Sequence, residues 1–317
     1  MKKRIISVLL ATVFALSVIG CGTKDTKEQD AYRQYGITCM ESGKYEDAVK
    51  AFQNALGESI GHIGEKELDI CFYKAKAQAL DGKTKDALAT YNAIIKYNKD
   101  ARAYYLRGDL YMDMGEEKKG KADFESAVQH GKKNYEIYIG IYESLSRHEK
   151  KDEGQKYLSA AMEIKGDKPE DELYKGRISY LLGENKDAIS YLEKAKEHKQ
   201  MLASYYLGLA YDANGDSDKA KKCIAEYIKS GVATSYDLYE LGMQEMQDGN
   251  YNNALTYFNS GLELEKVPNK QNLMKSAIAA YEYSGDFDSA KKMMKEYLKA
   301  YPDDEEAKHE NTFLETR

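Results

Sequence analysis

The phrase ESGKYEDAVKAFQNAL at 41–56 returns in altered form as MGEEKKGKADFESAV at 114–128 and LGENKDAISYLEKA at 182–195. It comes again as DGNYNNALTYFNSGL at 248–262 and SGDFDSAKKMMKEYL at 284–298. The shared frame is a glycine, a small residue five positions later, and a large apolar residue four positions beyond that. The small residue falls at Ala48, Ala87, Gly120, Gly154, Ala188, Ala220, Ala254 and Ala290, with spacings of 39, 33, 34, 34, 32, 34 and 36. A chain with such a period cannot bury its apolar face within one unit, so neighbouring units must stack to form a continuous core.

Each unit is long enough for two helices and a turn. A small residue facing a large one across the turn lets two helix backbones approach closely and fills the groove beside them. The glycine before the second helix supplies a left-handed cap to the first. There are only three prolines, Pro169, Pro268 and Pro302, and all sit between units. The last residues, DDEEAKHENTFLETR, open with acids suited to a helix start and carry Phe313 and Leu314, which predicts a short helix capping the final unit.

This pattern resembles the tetratricopeptide repeat, a helix–turn–helix unit of about 34 residues. Its small eighth position matches Gly36, Ala75, Gly108, Gly176, Gly208 and Gly242. Its large apolar twenty-fourth position matches Phe52, Tyr91, Phe124, Leu158, Leu192, Ile224, Phe258 and Met294. Turn glycines stand at Gly43, Gly82, Gly115, Gly183, Gly215, Gly249 and Gly285. The fourth unit departs with Tyr142 and Glu149, the eighth with Ile278. The resemblance implies an all-α fold: a right-handed α-solenoid of about eight units over 30–302, closed by the capping helix at 303–317.

The chain opens differently. Lys2, Lys3 and Arg4 precede an apolar run from Ile5 to Ile19 that ends in Val18-Ile19-Gly20-Cys21. Fifteen helical residues span about 22 Å, short of the roughly 30 Å hydrocarbon slab, which favours a cleaved export signal over a membrane span. The V-I-G-C ending is similar to a bacterial lipobox, whose cysteine is acylated and becomes the mature N-terminus. An ordinary signal peptide with a chance cysteine is the other reading. The expected organisation is a signal peptide at 1–20, a lipidated tether at 21–29 with Cys21 as the attachment site, then the repeats. The implied location is lipid-anchored on a bacterial membrane, either outside the cytoplasmic membrane or on the periplasmic side of an outer membrane.

The composition restricts the chemistry. Charged residues make up 32% of the 317, and mean hydropathy is −0.70. Tyrosines number 28 against 7 phenylalanines and no tryptophan, so apolar contact is supplied largely by a residue with a polar tip. The net charge is −6, and losing the three basic residues of the leader makes it −9. No basic stripe suits a nucleic acid. Besides Cys21 there are Cys39, Cys71 and Cys223, read as small buried hydrophobes, with a Cys39–Cys71 bridge the other reading. The five histidines are dispersed over different units or their boundaries, and neither an H-E-x-x-H string nor a G-x-S-x-G elbow occurs. No catalytic residue, metal site or cofactor is expected. The widest spacing comes from extra residues in GESIGHIGEKE at 57–67, read as a longer surface loop without a phosphate-loop signature.

The resemblance places the inner groove on the first helix of each unit, chiefly at its second, fifth, ninth, twelfth and thirteenth positions. The fifth-position row reads Arg33, Phe72, Tyr105, Ile139, Leu173, Tyr205, Tyr239 and Lys275; the twelfth reads Met40, Ala79, Met112, Ser146, Tyr180, Asp212, Met246 and Glu282. The expected partner groove is therefore Phe72, Tyr105, Met112, Ile139, Leu173, Tyr180, Tyr205, Tyr239 and Met246. Relatives that clamp acidic C-termini place basic residues where this strip is apolar, so the expected partner is a protein or peptide with apolar anchors. On this reading Tyr205 and Tyr239 can be replaced without changing the melting temperature. Packing of these tyrosines between neighbouring first helices is the competing reading. The expected role is a membrane-anchored scaffold in cell-envelope assembly or secretion; the alternative is a lipoprotein holding a small ligand such as a peptide, sugar or wall fragment.

Overall fold

The computed structural model describes residues 26–59, 63–166 and 168–317. The leader, Cys21 and His62 lie outside the described residues. Among the described residues there are seventeen α-helices and no strands, forming an all-α solenoid of helix–turn–helix repeats. They fall into two compact units, one running up to Val232 and one from Ala233 to Arg317.

The first unit contains six antiparallel pairs. These are α1 (Thr26–Glu41) with α2 (Tyr45–Gly57), α3 (Glu65–Leu80) with α4 (Thr84–Asn98), and α5 (Ala101–Asp113) with α6 (Glu117–His130). They continue with α7 (Tyr135–Arg147) and α8 (Lys151–Met162), α9 (Pro169–Leu182) and α10 (Asn185–Glu197), and α11 (Leu202–Ala213) and α12 (Ser217–Lys229). The second unit holds α13 (Ser235–Gln247) with α14 (Tyr251–Leu262), α15 (Lys270–Ser284) with α16 (Phe287–Ala300), and the single helix α17 (Glu305–Leu314). Helix α1 starts at Thr26, so 26–29 of the expected tether are helical, and Gln29 is buried against Glu67 at 2.9 Å.

A sixteen-residue rule builds each pair. A Cβ placed on Gly108 would lie 2.9 Å from the Phe124 ring, and one on Gly242 would lie 2.2 Å from the Phe258 ring. The large residue of the second helix therefore occupies the notch left by the missing side chain of the first, and both rings are fully buried. Two helices close in this way gain dispersion along their whole contact. The fourth pair reverses the arrangement. Tyr142 fills the notch position on α7, and the glycine moves to α8, where a Cβ on Gly154 would stand 3.1 Å from the Tyr142 backbone. Bulk has changed sides, and the close approach is kept.

The turns are as regular as the pairs. Gly183 takes φ 83°, and the following Glu184 N–H closes a 2.8 Å bond onto the Ser179 carbonyl, satisfying the end of α9. In the fourth pair Glu149 adopts the same left-handed conformation at φ 63°, with Lys150 N–H bonded to the Leu145 carbonyl at 2.8 Å. A residue with a Cβ costs about 1 kcal/mol there, and the intact bond keeps the turn in register with the others. Pro169 opens α9 as its first residue, where its missing N–H removes no helix bond. Cys39, Cys71 and Cys223 are free thiols; Cys39 and Cys223 are buried, and burial pushes the Cys71 and Cys223 thiols upward.

Candidate groove and its charged rows

First helices of successive pairs touch one another along one side of the first unit. Arg33 on α1 pairs with Asp69 on α3 at 2.6 Å, and Lys66 on α3 pairs with Asp30 on α1 at 2.6 Å. The Arg102 guanidinium of α5 lies 4.6 Å from the centre of the Phe72 ring on α3. Arg147 on α7 reaches Asp109 on α5 at 2.5 Å, and Arg177 on α9 holds both Glu136 and Glu143 of α7, at 3.3 and 3.0 Å. Tyr135 on α7 stacks on Tyr174 of α9 with ring centres 5.0 Å apart. The same relation recurs within the second unit, where Ser276 on α15 contacts the Met243 sulfur on α13 and Asn269 donates to the Ser235 carbonyl at 3.1 Å.

The apolar row is more interior than its sequence positions imply. Met112, Ile139, Leu173 and Tyr205 are all buried, with Ile139 fully enclosed. Phe72, Tyr105 and Tyr180 in the first unit are half-buried, as are Tyr239 and Met246 in the second. Tyr105 shows why. Its ring rests on Phe124 at 6.3 Å and against Gly140 of the next first helix, where a Cβ would meet the Tyr105 Cζ at 2.6 Å. Tyr239 rests likewise on Phe258 at 6.2 Å. Tyr105 thus serves both its own helix pair and the joint between α5 and α7, whereas Tyr239 packs on the second helix of its own pair.

What faces outward between them is charge. The second, ninth and thirteenth positions of these first helices carry Asp69, Lys76, Arg102, Asp109, Asp113, Glu136, Glu143, Arg147 and Arg177. Laying out all five groove positions exposes this pattern, whereas the fifth and twelfth alone show only apolar residues and a few polar ends. Burial pushes the Glu143 carboxyl above the usual carboxylate range even with Arg177 in contact. Burial, and then the neighbouring Asp109, push Asp113 upward. Burial also opposes the charge of Arg177, but Tyr206, Glu136 and Glu143 outweigh it, and the guanidinium is held charged. Lys76 on α3 differs from the rest: burial lowers its ammonium, with no opposing contribution from a carboxylate.

Models of the tetratricopeptide repeat match residues 36–95, 101–129, 202–230 and 271–304. These segments fall on α1–α4, α5–α6, α11–α12 and α15–α16 together with the turn after it, and each is similar in sequence to a tetratricopeptide repeat. No curated protein matches the sequence. Among solved structures, yeast Tom70 is similar with a TM-score of 0.51 and 16% identity over 86% of this chain, which spans 59% of that one. A tetratricopeptide repeat protein from Parabacteroides merdae shares 12% identity at a TM-score of 0.47, covering 80% of this chain and 98% of its own. PilW, described as a widely conserved type IV pilus biogenesis factor, shares 17% identity at a TM-score of 0.42 over 66% of this chain and 97% of its own. At these identities the likeness to Tom70 is one of fold. A tetratricopeptide-repeat scaffold is a fold of protein–protein interaction, and the first-helix side of this one has the mixture of ring edges and charges that such a surface needs.

Proposed function

We propose that this chain is an exported, lipid-anchored scaffold that holds another protein or peptide on the first-helix side of its repeats, in cell-envelope assembly or secretion. The observation that carries the binding half is the row of half-buried rings, Phe72, Tyr105 and Tyr180, set between ion-paired side chains on successive first helices. A half-covered aromatic adds apolar area to a complex without losing much side-chain entropy. The anchoring half rests on the Val18-Ile19-Gly20-Cys21 string and on its nearness to the repeats. Four residues lie between Cys21 and the start of α1, at most about 18 Å of extended chain from one to the other, so on this reading the first repeat sits close to the bilayer. One acyl chain holds a protein only marginally, and two or more hold it stably.

Two measurements test these halves separately. Cys21→Ser is expected to move the protein from the membrane fraction to the soluble or unprocessed fraction. Unchanged processing and retention in washed membranes would sink the anchor. In-cell cross-linking of the Phe72→Ala/Tyr180→Ala double variant is expected to lose most of the partner adduct, about tenfold for each 1.4 kcal/mol of lost contact. An equal adduct yield from a variant of equal helicity and melting temperature would remove the groove from consideration.

A further inference from the structure

We infer that the outward face of α14, together with the Tyr251–Tyr283 pair beside it, binds an uncharged polysaccharide chain. Helix α14 is a second helix, so this face is separate from the first-helix groove and does not depend on the reading of that groove. Among the seventeen described helices α14 alone carries no charged residue, in a chain that is 32% charged. Its sequence is YNNALTYFNSGL, and Ala254, Leu255, Phe258 and Gly261 are spent on packing. Asn252, Thr256 and Ser260 stand one turn apart along the opposite face, with about 5–6 Å between Cβ atoms, close to the length of a sugar ring. Thr256 donates to the Asn252 carbonyl at 3.1 Å; the flanking Asn253 and Asn259 donate to Glu245 at 3.1 Å and to the Tyr281 hydroxyl at 3.3 Å. Each keeps an acceptor oxygen for a ligand hydroxyl, and the exposed Asn252 offers both donors and an acceptor. Tyr251 opens α14 and stacks on Tyr283 of α15, with ring centres 5.3 Å apart and planes 19° from parallel. Tyr283 is 67% exposed, more than any other large apolar side chain among the described residues. Its ring is thus steadied on one face and left to solvent elsewhere, at the start of the amide row.

Charge decides the class of ligand. A phosphate, a carboxylate or an anionic lipid would lose water here and find no cation on α14, and a basic ligand would find no carboxylate there. An apolar segment would cover amides and hydroxyls, which would then lose their water without return. A sugar chain avoids both costs. Its hydroxyls donate and accept, as the asparagine, threonine and serine side chains do. Its C–H face presents the positive edge that the negative face of a tyrosine ring attracts. Neither side carries charge, so the complex loses little as salt rises.

The test measures depletion of the mature chain from solution by insoluble cellulose, chitin, β-glucan, mannan and xylan, with polygalacturonate as the charged control. Retention is expected on at least one of the uncharged polymers, to the same extent at low and high salt, and not on polygalacturonate. Tyr283→Ala, and separately Asn252→Ala/Ser260→Ala, are expected to weaken that binding at least about tenfold at an unchanged melting temperature. The first removes an exposed ring, and the second pair raises helix propensity, so neither threatens the fold. Phe72→Ala/Tyr180→Ala is expected to leave retention as it is, which separates this face from the first-helix groove. Retention on none of the five polymers, retention on polygalacturonate alone, or retention that survives both variants of the α14 face would overturn the inference. A cross-linked protein adduct that depends on Tyr283, with no polymer retaining the chain, would overturn it too and give the face to a protein.

Discussion

Replacing Tyr205 with alanine is expected to lower the stability of the first unit by about 3–5 kcal/mol, the range for removing a large buried aromatic. Only 6% of Tyr205 is exposed. Its ring meets Tyr206 edge-on at 5.1 Å and Tyr227 at 5.3 Å, and Tyr227 is itself buried in the last turn of α12. An alanine leaves a void lined by two aromatic rings that cannot move into it without breaking their own contacts. Urea denaturation followed by helical circular dichroism is expected to show a lower midpoint with little change of slope. A midpoint within experimental error of the native chain would mean that Tyr205 is a surface residue. The fifth-position row had suggested that Tyr205 and Tyr239 could be replaced without cost to the fold. For Tyr205 that expectation is corrected by its burial, and a partner-binding loss in Tyr205→Ala cannot be separated from unfolding. Tyr239, half-buried, is the better probe of the pair.

The second large effect is expected at Asp304, which organises the end of the second unit. One carboxylate oxygen accepts from Lys275 at 2.8 Å and from the Tyr297 hydroxyl at 2.5 Å; the other caps α17 by accepting from the Ala307 N–H at 3.1 Å. These partners, Lys275 first and Tyr297 next, hold the Asp304 carboxyl well below the usual carboxylate range against an opposing effect of burial. Its side chain is 13% exposed, so the bonds are poorly screened. The unfolded chain protonates this group near pH 4 while the folded chain keeps it charged to lower pH. Its contribution is therefore complete above about pH 5 and is lost progressively as the pH falls below 4. Asp304→Asn keeps a capping oxygen and removes the charge. It is expected to cost about 2–3 kcal/mol at pH 7, the scale of one or two hydrogen bonds to an ionised group, and distinctly less at pH 2, where the unfolded chain is already protonated while the folded carboxyl keeps part of its charge. The measurement is the difference in unfolding free energy between native and variant chains from pH 7 to 2. A difference that does not change over that range would show that the charge of Asp304 holds nothing together.

Much of the fold was legible in the sequence because it depends on spacing. The interval of sixteen from Gly108 to Phe124 and from Gly242 to Phe258 is a backbone requirement: a helix can approach another at one point only if a side chain is missing there. Turn glycines such as Gly183 announce themselves for the same local reason, since the left-handed cap excludes most other residues. Tyr142 and Glu149, which look like defects in the string, are absorbed by Gly154 across the helix pair and by a strained but fully bonded turn. The sequence had no local way to signal these compensations, because one of them joins two helices and the other is a conformation a glutamate rarely takes.

The candidate site was half legible. The sequence by itself determined which residues stand on the first helices and which of them are aromatic, acidic or basic, because helical position follows from the repeat register. It also placed Cys21 and the apolar leader ahead of the repeats. Only the tertiary structure decided how much of each side chain remains for a partner. Ile139, Leu173 and Tyr205 are consumed by packing inside the first unit, while Glu136 and Asp113 keep more than a third of their side chains at the surface. The physical reason is that exposure and charge balance belong to the space between helices about 34 residues apart, and no stretch of chain carries that distance within itself.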